Sequence, residues 1–189
     1  MKIVGFVGSP RKGGNTETLV EKALEGAASK GAETALFNIA RMDIKGCQAC
    51  MHCRTNDGCA LQDEMQAMYR EIQNADAVII GFPVYMFTAN AQTKTFIDRL
   101  YPYLNLDFTS KVHKNTALVI TQGQPDKEAF KPNFEWTKNS LGFLGFPVKE
   151  ILIEGGNRDK KDAASNHDAL ERAMALGMNL VAPAKDWAQ

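Results

Sequence analysis

Residues 77–81 read Ala-Val-Ile-Ile-Gly, apolar at every position, so a strand built from them can offer neither face to water. Such a strand belongs in a parallel sheet with helices packed above and below it. The rest of the chain supplies those helices. Lys2–Val7 is a buried first strand, and the turn residues 8–14 lead into a helix that Asn15 can cap. In that helix Leu19, Val20, Ala23, Leu24, Ala27 and Ala28 recur at helical spacing, with Glu17, Glu21 and Glu25 outside and Gly31 as the stop. A second strand follows over residues 34–39, and Asp63 opens a helix that carries Met65, Met68 and Ile72 on one face. After the 77–81 strand come a helix over residues 91–104, its last turn disturbed by Pro102, and a fourth strand over 116–121. Phe130, Phe134, Leu141 and Leu144 form a further helical stripe, in which Pro132 is tolerated only near the first turns. A fifth strand spans 148–153, and Ser165 with Asp168 opens a last helix through Leu170, Ala173, Met174 and Val181.

Five strands alternating with helices predict a doubly wound, three-layer α/β/α fold, for which the flavodoxin-like order 2-1-3-4-5 is one of two common solutions. Right-handed crossovers bring the loops after the first and third strands to one sheet edge, where such folds bind their ligands. No internal repeat, low-complexity tract or linker interrupts residues 1–189, which predicts a single domain. Lys and Arg number 22 against 22 Asp and Glu, and no basic run breaks that balance, which argues against a nucleic-acid partner. The longest apolar stretch, residues 77–87, contains Gly81 and Pro83 and is well short of the ~20 residues of a membrane helix. No signal-peptide core follows Met1-Lys2, so a cytoplasmic protein with no membrane contact is expected. Its partner is then a small molecule or another protein.

The loop after the first strand, Gly8-Ser9-Pro10-Arg11-Lys12-Gly13-Gly14-Asn15-Thr16, has the chemistry of a phosphate site. Backbone N–H groups at a helix start face outward, the helix dipole favours an anion, and Ser9, Asn15 and Thr16 add hydrogen-bonding side chains. Arg11 can add a bidentate contact. The alternative is a glycine-rich turn before a capped helix. A P-loop needs Gly-Lys-Ser/Thr where this chain has Gly14-Asn15-Thr16. A dinucleotide site needs Gly-x-Gly-x-x-Gly and an acidic residue after the second strand, where Ile39-Ala40-Arg41 stands. A single terminal phosphate, as in a mononucleotide, passes both exclusions. After the third strand, Pro83-Val84-Tyr85-Met86-Phe87 either walls a flat ring with Tyr85 and Phe87 or buries its aromatics in the core or at a dimer contact.

All four cysteines lie within residues 47–59, spaced Cys47-x2-Cys50-x2-Cys53-x5-Cys59. In a reducing compartment this clustering suits metal or cluster ligation better than disulfides. Three thiolates at intervals of three with a fourth nearby can wrap a [4Fe-4S] cubane, with Gly46 and Gly58 relaxing the backbone. Zinc held by four thiolates, or by three with His52, stays open, as does an empty loop. His113 and His167 stand alone, and no His/Asp or Ser/His set marks an acid–base catalyst.

These residues together resemble the iron-sulfur flavoprotein group of the NADPH-dependent FMN reductase and flavodoxin-like superfamily. The resemblance is carried in order by Gly8-Ser9-Pro10-Arg11 with Asn15-Thr16, the four cysteines followed by Asp63-Glu64-Met65, Pro83-Val84-Tyr85-Met86, and Ala91-Gln92, Lys94 and Asp98-Arg99. It implies FMN with its phosphate on Ser9, Arg11, Asn15 and Thr16. The ring is then placed beside Pro83, Val84, Tyr85, Met86 and Phe87 and the loop at Gln122 and Gly123. It further implies a [4Fe-4S] cluster on Cys47, Cys50, Cys53 and Cys59, and a homodimer or homotetramer. The chain departs from many relatives in carrying Gln122-Gly123-Gln124-Pro125 where they have a Gly-Gly pair, and Phe87 where glycine is frequent, which narrows the space expected over the ring.

The function expected is that of an FMN-dependent oxidoreductase passing electrons between the cluster and the flavin, with NAD(P)H or a ferredoxin-like protein as external partner and no catalytic acid–base residue. Two alternatives stand beside it: an NAD(P)H-dependent FMN or quinone reductase with zinc or nothing in the cysteine loop, and a non-catalytic redox carrier or sensor.

Overall fold

Five parallel strands carry the apolar runs. β1 (Lys2–Val7) pairs with β2 (Glu33–Phe37) on one side and β3 (Ala77–Tyr85) on the other, β3 pairs with β5 (Asn115–Thr121), and β5 with β6 (Val148–Glu154). Their order β2-β1-β3-β5-β6 is the expected 2-1-3-4-5 arrangement of parallel strands. The two-residue β4 (Thr88–Ala89) is an addition: it folds back antiparallel on the end of β3, setting Val84 opposite Ala89 and Tyr85 opposite Thr88. The computed structural model describes residues 1–181. The expectation of one domain runs on to Gln189, and residues 182–189 lie outside the described part.

Alternate residues of each strand enter different cores. Val4, Phe6, Val78, Ile80, Phe82, Leu118 and Ile120 pack against α3 (Met65–Asn74), α4 (Ala91–Asp98) and α5 (Lys131–Phe143). Ile3, Val7, Ala77, Ile79, Ala117 and Val119 pack against α1 (Asn15–Ser29) and α7 (His167–Val181), with Ala163 of α6 (Asp162–Ser165) at the margin. Each fully buried Val, Ile, Leu or Phe side chain contributes roughly 1.5 to 3 kcal/mol, so covering both faces is what holds the sheet in register. α1 and α7 touch backbone to backbone. A Cβ at Gly177 would stand 1.7 Å from the Ala23 carbonyl oxygen, so only glycine allows that approach. The remaining helix, α2 (His52–Thr55), lies in the cysteine segment.

Several element ends differ from the sequence expectation, each for a local reason. The second strand stops at Phe37 because Asn38 turns the chain, donating its side-chain amide to the Ser9 carbonyl at 3.0 Å before a 3-10 turn over Ile39–Arg41. The helix expected over 91–104 stops at Asp98, the residue whose carbonyl a helical Pro102 would strike. Pro102 instead enters a 3-10 turn over Tyr101–Tyr103. Asp63 precedes its helix by two residues, its carboxylate accepting the Met65 N–H at 3.1 Å, and Glu64 is the N-cap. Asn15 does not cap α1, whose N-cap is Gly14. Ser165 ends the short α6, and Asn166 takes its expected role by accepting the Ala169 N–H at 3.1 Å. Pro132 does sit in the first turn of α5. No helix among the described residues is long and apolar enough to cross a membrane.

Candidate functional site

At the carboxyl edge of the sheet, where the chain leaves β1 and β3 in opposite directions, a cavity of about 350 Å³ opens. Its lining comprises Ser9, Arg11, Asn15 and Thr16, then Pro83, Val84 and Tyr85, then Thr121, Gln122 and Gly123, and finally Asn157 and Arg158. The loop ahead of α1 is fixed from several sides. The Asn90 amide donates to the Gly8 carbonyl at 2.6 Å, and a Cβ at Gly8 would fall 1.8 Å from the Thr93 hydroxyl, so α4 closes directly on the end of β1. The Gly13 N–H donates to the Glu17 carboxylate at 2.6 Å, and Glu17 in turn pairs with Arg41 at 2.6 Å. No side chain among the described residues caps α1. Its first-turn N–H groups, with the positive end of its dipole, are therefore left to an anion.

Of the residues expected to hold a phosphate, Ser9, Asn15 and Thr16 are buried and Arg11 is exposed. Asn15 spends its side chain on the neighbouring loop, donating to the Asp159 carbonyl at 2.7 Å and accepting the Ala163 N–H at 3.1 Å. Its own backbone N–H is what it can offer a ligand. The Thr16 and Thr121 hydroxyls share a buried 2.6 Å hydrogen bond that ties α1 to β5. Arg11 donates to the Arg158 carbonyl at 3.2 Å from an exposed position. Gln122 is buried with its amide N–H group directed to the carbonyls of Gln124 and Asp126, at 3.0 and 2.6 Å, which shapes the loop beside Gly123.

Met86 and Phe87 are not among the lining residues. They form the turn between β3 and β4, with φ of 45° and 76°, and are 85% and 60% exposed. A two-residue hairpin turn of this kind demands positive φ at both central positions, which glycine meets without strain and phenylalanine does not. Phe87 is held there by an edge-on contact with Phe130, centroids 5.4 Å apart, and by the Asn133 amide donating to its carbonyl at 2.8 Å. The narrowing expected from Phe87 is therefore absent from the lining. Thr121, Asn157 and Arg158 were missed. Asn157 and Arg158 follow the last strand, which ends at the same carboxyl edge, and Gly155-Gly156 marks the turn that brings them there.

The four cysteines line a second cavity, of about 430 Å³, with Arg99, Tyr101 and Pro102 on its far wall. Between Cys47 and Cys53 the chain turns at Ala49 and Met51, both in the left-handed region at φ 51° and 60°, and it turns again at Gly58, φ 77°, before Cys59. Burial pushes the Cys53 thiol up, and the neighbouring Cys59, Cys47 and Cys50 add to the shift. The four cysteines thus border one volume. Among the described residues no three His, Cys, Asp or Glu side chains stand close enough together to hold a metal ion. His52 lies away from the lining, its ring nitrogen 3.5 Å from the Asn56 amide. An all-thiolate donor set around a cavity is the donor type that a sulfur-bridged iron cluster takes, so these residues fit that group by their chemistry.

A buried ion pair supports the cysteine segment. Arg99 and Asp63 have side chains each 1% exposed and meet through two bonds of 2.6 and 3.0 Å. Asp63 also accepts the Lys45 N–H at 3.0 Å, Arg99 donates to the Lys45 carbonyl at 2.7 Å, and the Glu64 carboxylate accepts the Asp43 N–H. Burial alone would raise the Asp63 carboxyl, but Arg99 and the N–H groups of Lys45 and Met65 hold it below its usual value. Gln66 donates to the carbonyls of Cys59 and Leu61, at 3.1 and 2.7 Å. Arg54, next to Cys53, donates to the Leu106 carbonyl at 2.7 Å and lies 4.7 Å over the Phe108 ring.

Residues 1–138 match the family model described as NADPH-dependent FMN reductase. An iron-sulfur flavoprotein of Archaeoglobus fulgidus is 40% identical over 167 residues, covering 87% of this chain and 76% of the relative. Another, of Methanosarcina thermophila, is 38% identical over 120 residues, covering 64% of this chain and 63% of the relative, so that match spans less than two thirds of the relative's length. Among solved structures, an NAD(P)H:quinone oxidoreductase from Methanothermobacter marburgensis superposes with a TM-score of 0.73 at 19% identity, covering 95% of this chain and 98% of that one, a likeness of fold. With its flavodoxin-like sheet, its sheet-edge cavity and its compact cysteine segment, the chain belongs to the NADPH-dependent FMN reductase family of FMN-dependent oxidoreductases, in the iron-sulfur flavoprotein group.

Proposed function

We propose that this protein is an FMN-dependent oxidoreductase that seats FMN in the sheet-edge cavity and a [4Fe-4S] cluster on Cys47, Cys50, Cys53 and Cys59, passing electrons between them and an external partner. The observation that carries this reading is that all four thiols line one cavity, while a different cavity presents an uncapped helix start flanked by Arg11. When bound, FMN supplies one- and two-electron redox chemistry and the cluster a one-electron store. The chain's own work is to bind, orient and exclude water. The first-turn N–H groups of α1, with Ser9 and Arg11, take the terminal phosphate, each helix-end charge interaction being worth about 0.3 to 1 kcal/mol at an exposed site. Pro83, Val84 and Tyr85 on one side and Gln122 and Gly123 on the other bracket the ring. No side chain is required to move a proton.

The external partner is NAD(P)H or a ferredoxin-like protein. The NADPH-dependent description of the matching family favours, as a second reading, direct reduction of the flavin by a nicotinamide nucleotide. Protein purified without air is expected to show flavin absorbance with a broad visible shoulder, and iron and acid-labile sulfide in roughly four-to-four ratio per chain. Zinc without sulfide would overturn the cluster assignment. Rapid stoichiometric bleaching of the flavin by NADPH or NADH under the same conditions would move the conclusion to the second reading.

A further inference from the structure

We propose that Arg99 donates a hydrogen bond from its Nε–H to a sulfur of the group that Cys59 helps to hold, and thereby sets that group's reduction potential. The inference rests on the cluster reading of the cysteine cavity and adds to it a residue outside the thiolate set. Arg99 is the largest fully buried side chain among the described residues, and it lines the cavity shared by the four thiols. Its terminal nitrogens are both engaged, Nη1 through two bonds to Asp63 and the Lys45 carbonyl and Nη2 through one to Asp63. Its Nε is buried with no partner among the described residues. A guanidinium N–H shut away from water and left unbonded is rare in folded proteins, and it points to an acceptor that joins when the site is filled.

The frame around it leaves few candidates for that acceptor. Asp63 already accepts from Arg99 and from the N–H groups of Lys45 and Met65. The Tyr69 hydroxyl donates to the Arg99 carbonyl at 2.6 Å, and Gln66 on the same helix holds the Cys59 carbonyl, so one helix ties down the backbone of both residues where they line the same cavity. Burial opposes the Arg99 charge, but Asp63 chiefly, with Tyr69 and Cys59, keeps it protonated. A thiolate or sulfide sulfur carries most negative charge in the reduced state. A donor fixed beside it favours that state and raises the potential. Asp63 neutralises much of the guanidinium charge at long range, so the hydrogen bond is the principal lever.

The test uses protein prepared without air, with iron and sulfide counted first. Wild type grown with 15N-guanidino arginine is reduced and examined by pulsed electron–nuclear double resonance, and the cluster and flavin midpoints are titrated in wild type, Arg99→Lys and the paired Arg99→Gln/Asp63→Asn variant. Lysine keeps a cation but has no Nε–H fork, and the paired change avoids an orphaned Asp63. The expected result is an arginine 15N coupling to the reduced cluster that survives Arg54→Lys and disappears in Arg99→Lys. The cluster midpoint should shift to more negative values in both Arg99 variants, with the flavin midpoint unmoved. Should neither Arg99 variant fold, the labelled wild type and Arg54→Lys decide the matter alone. No arginine coupling, or an unshifted midpoint in a variant that retains the cluster, overturns the inference and leaves the cluster reading standing. Wild type without sulfide overturns both.

Discussion

At the sheet edge, Ser9, Asn15, Thr16, Thr121 and Gln122 are buried, and hydrogen bonds among their side chains and the backbone hold that edge in place before any ligand arrives. In the cysteine segment Cys47 and Cys50 are exposed, and two of the residues between the thiols adopt a backbone that only glycine takes without strain. One site is a by-product of the fold, since a doubly wound sheet opens a crevice wherever its chain order reverses. The other is a surface segment pinned at its base by Asp63 and Arg99, whose final shape, on the cluster reading proposed above, depends on what the sulfurs hold. Losing the contents of the first should leave the protein folded, and losing those of the second should loosen the segment and little else.

The sharpest challenge to that contrast is Cys53→Ala. Removing one of four thiolates is expected to abolish iron and sulfide binding altogether, and to expose the segment between residues 43 and 62 to limited proteolysis, while FMN stays bound. Iron, sulfide and flavin counts on the same sample check it. Flavin leaving before iron would show that the two regions are not independent.

Next in size is Asp63→Asn, which leaves the Arg99 charge buried without its counter-ion and should cost about 3 to 5 kcal/mol of stability in denaturant unfolding. The same pair predicts an acid dependence. Because the folded Asp63 carboxyl titrates below its usual value, its contribution is fully present above the unfolded carboxylate pKa, about 3.9, and is lost as the pH falls through the lower folded value. The Asn variant should therefore show a smaller loss of stability between about pH 4 and pH 2 than the wild type. Parallel pH profiles for the two proteins would contradict this.

Arg11→Ala tests the other region. Arg11 is exposed and its side chain's one hydrogen bond is to a backbone carbonyl, so the fold should not notice that side chain's loss. FMN affinity should fall by about 1 to 3 kcal/mol, the worth of a charge-assisted hydrogen bond to phosphate. Isothermal titration of the flavin-free protein measures it, and an unchanged dissociation constant would remove Arg11 from the phosphate site.

The contrast also explains which parts were legible in the sequence. Strand order and both cores follow from apolar runs such as residues 77–81, whose period survives any choice of loop, and the loops at the carboxyl edge follow from topology. Asn157 and Arg158 escaped notice because polar residues after a strand look like ordinary turn residues until the sheet gathers them, and Thr121 because it reads as the last residue of its strand. The cysteine spacing was plain. The support beneath it was not, because Asp63 and Arg99 are 36 residues apart and each resembles a surface charge when read alone. Nothing in the sequence marks Ala49 and Met51 as left-handed turns, a role glycine fills without strain, and of Gly46 and Gly58 only Gly58 has positive φ.

The smallest effect expected is at Phe87, and it bears on where the first cavity ends. Phe87→Gly relieves a left-handed non-glycine residue, a strain of about 1 to 3 kcal/mol, and forfeits the edge-on contact with Phe130, worth about 0.5 to 1.5 kcal/mol beyond the apolar area it covers. Glycine also adds unfolded-state entropy of up to about 1 kcal/mol. These terms nearly cancel, so the unfolding midpoint should move by an amount equivalent to about 1 kcal/mol or less in either direction. Because Phe87 stands outside the cavity lining, FMN affinity should stay within a factor of about two, a difference below half a kcal/mol. A tenfold change in flavin binding would mean that the β3–β4 turn folds over the ring when the cavity is filled, and the boundary between a preformed site and a ligand-shaped one would then run through the sheet edge itself.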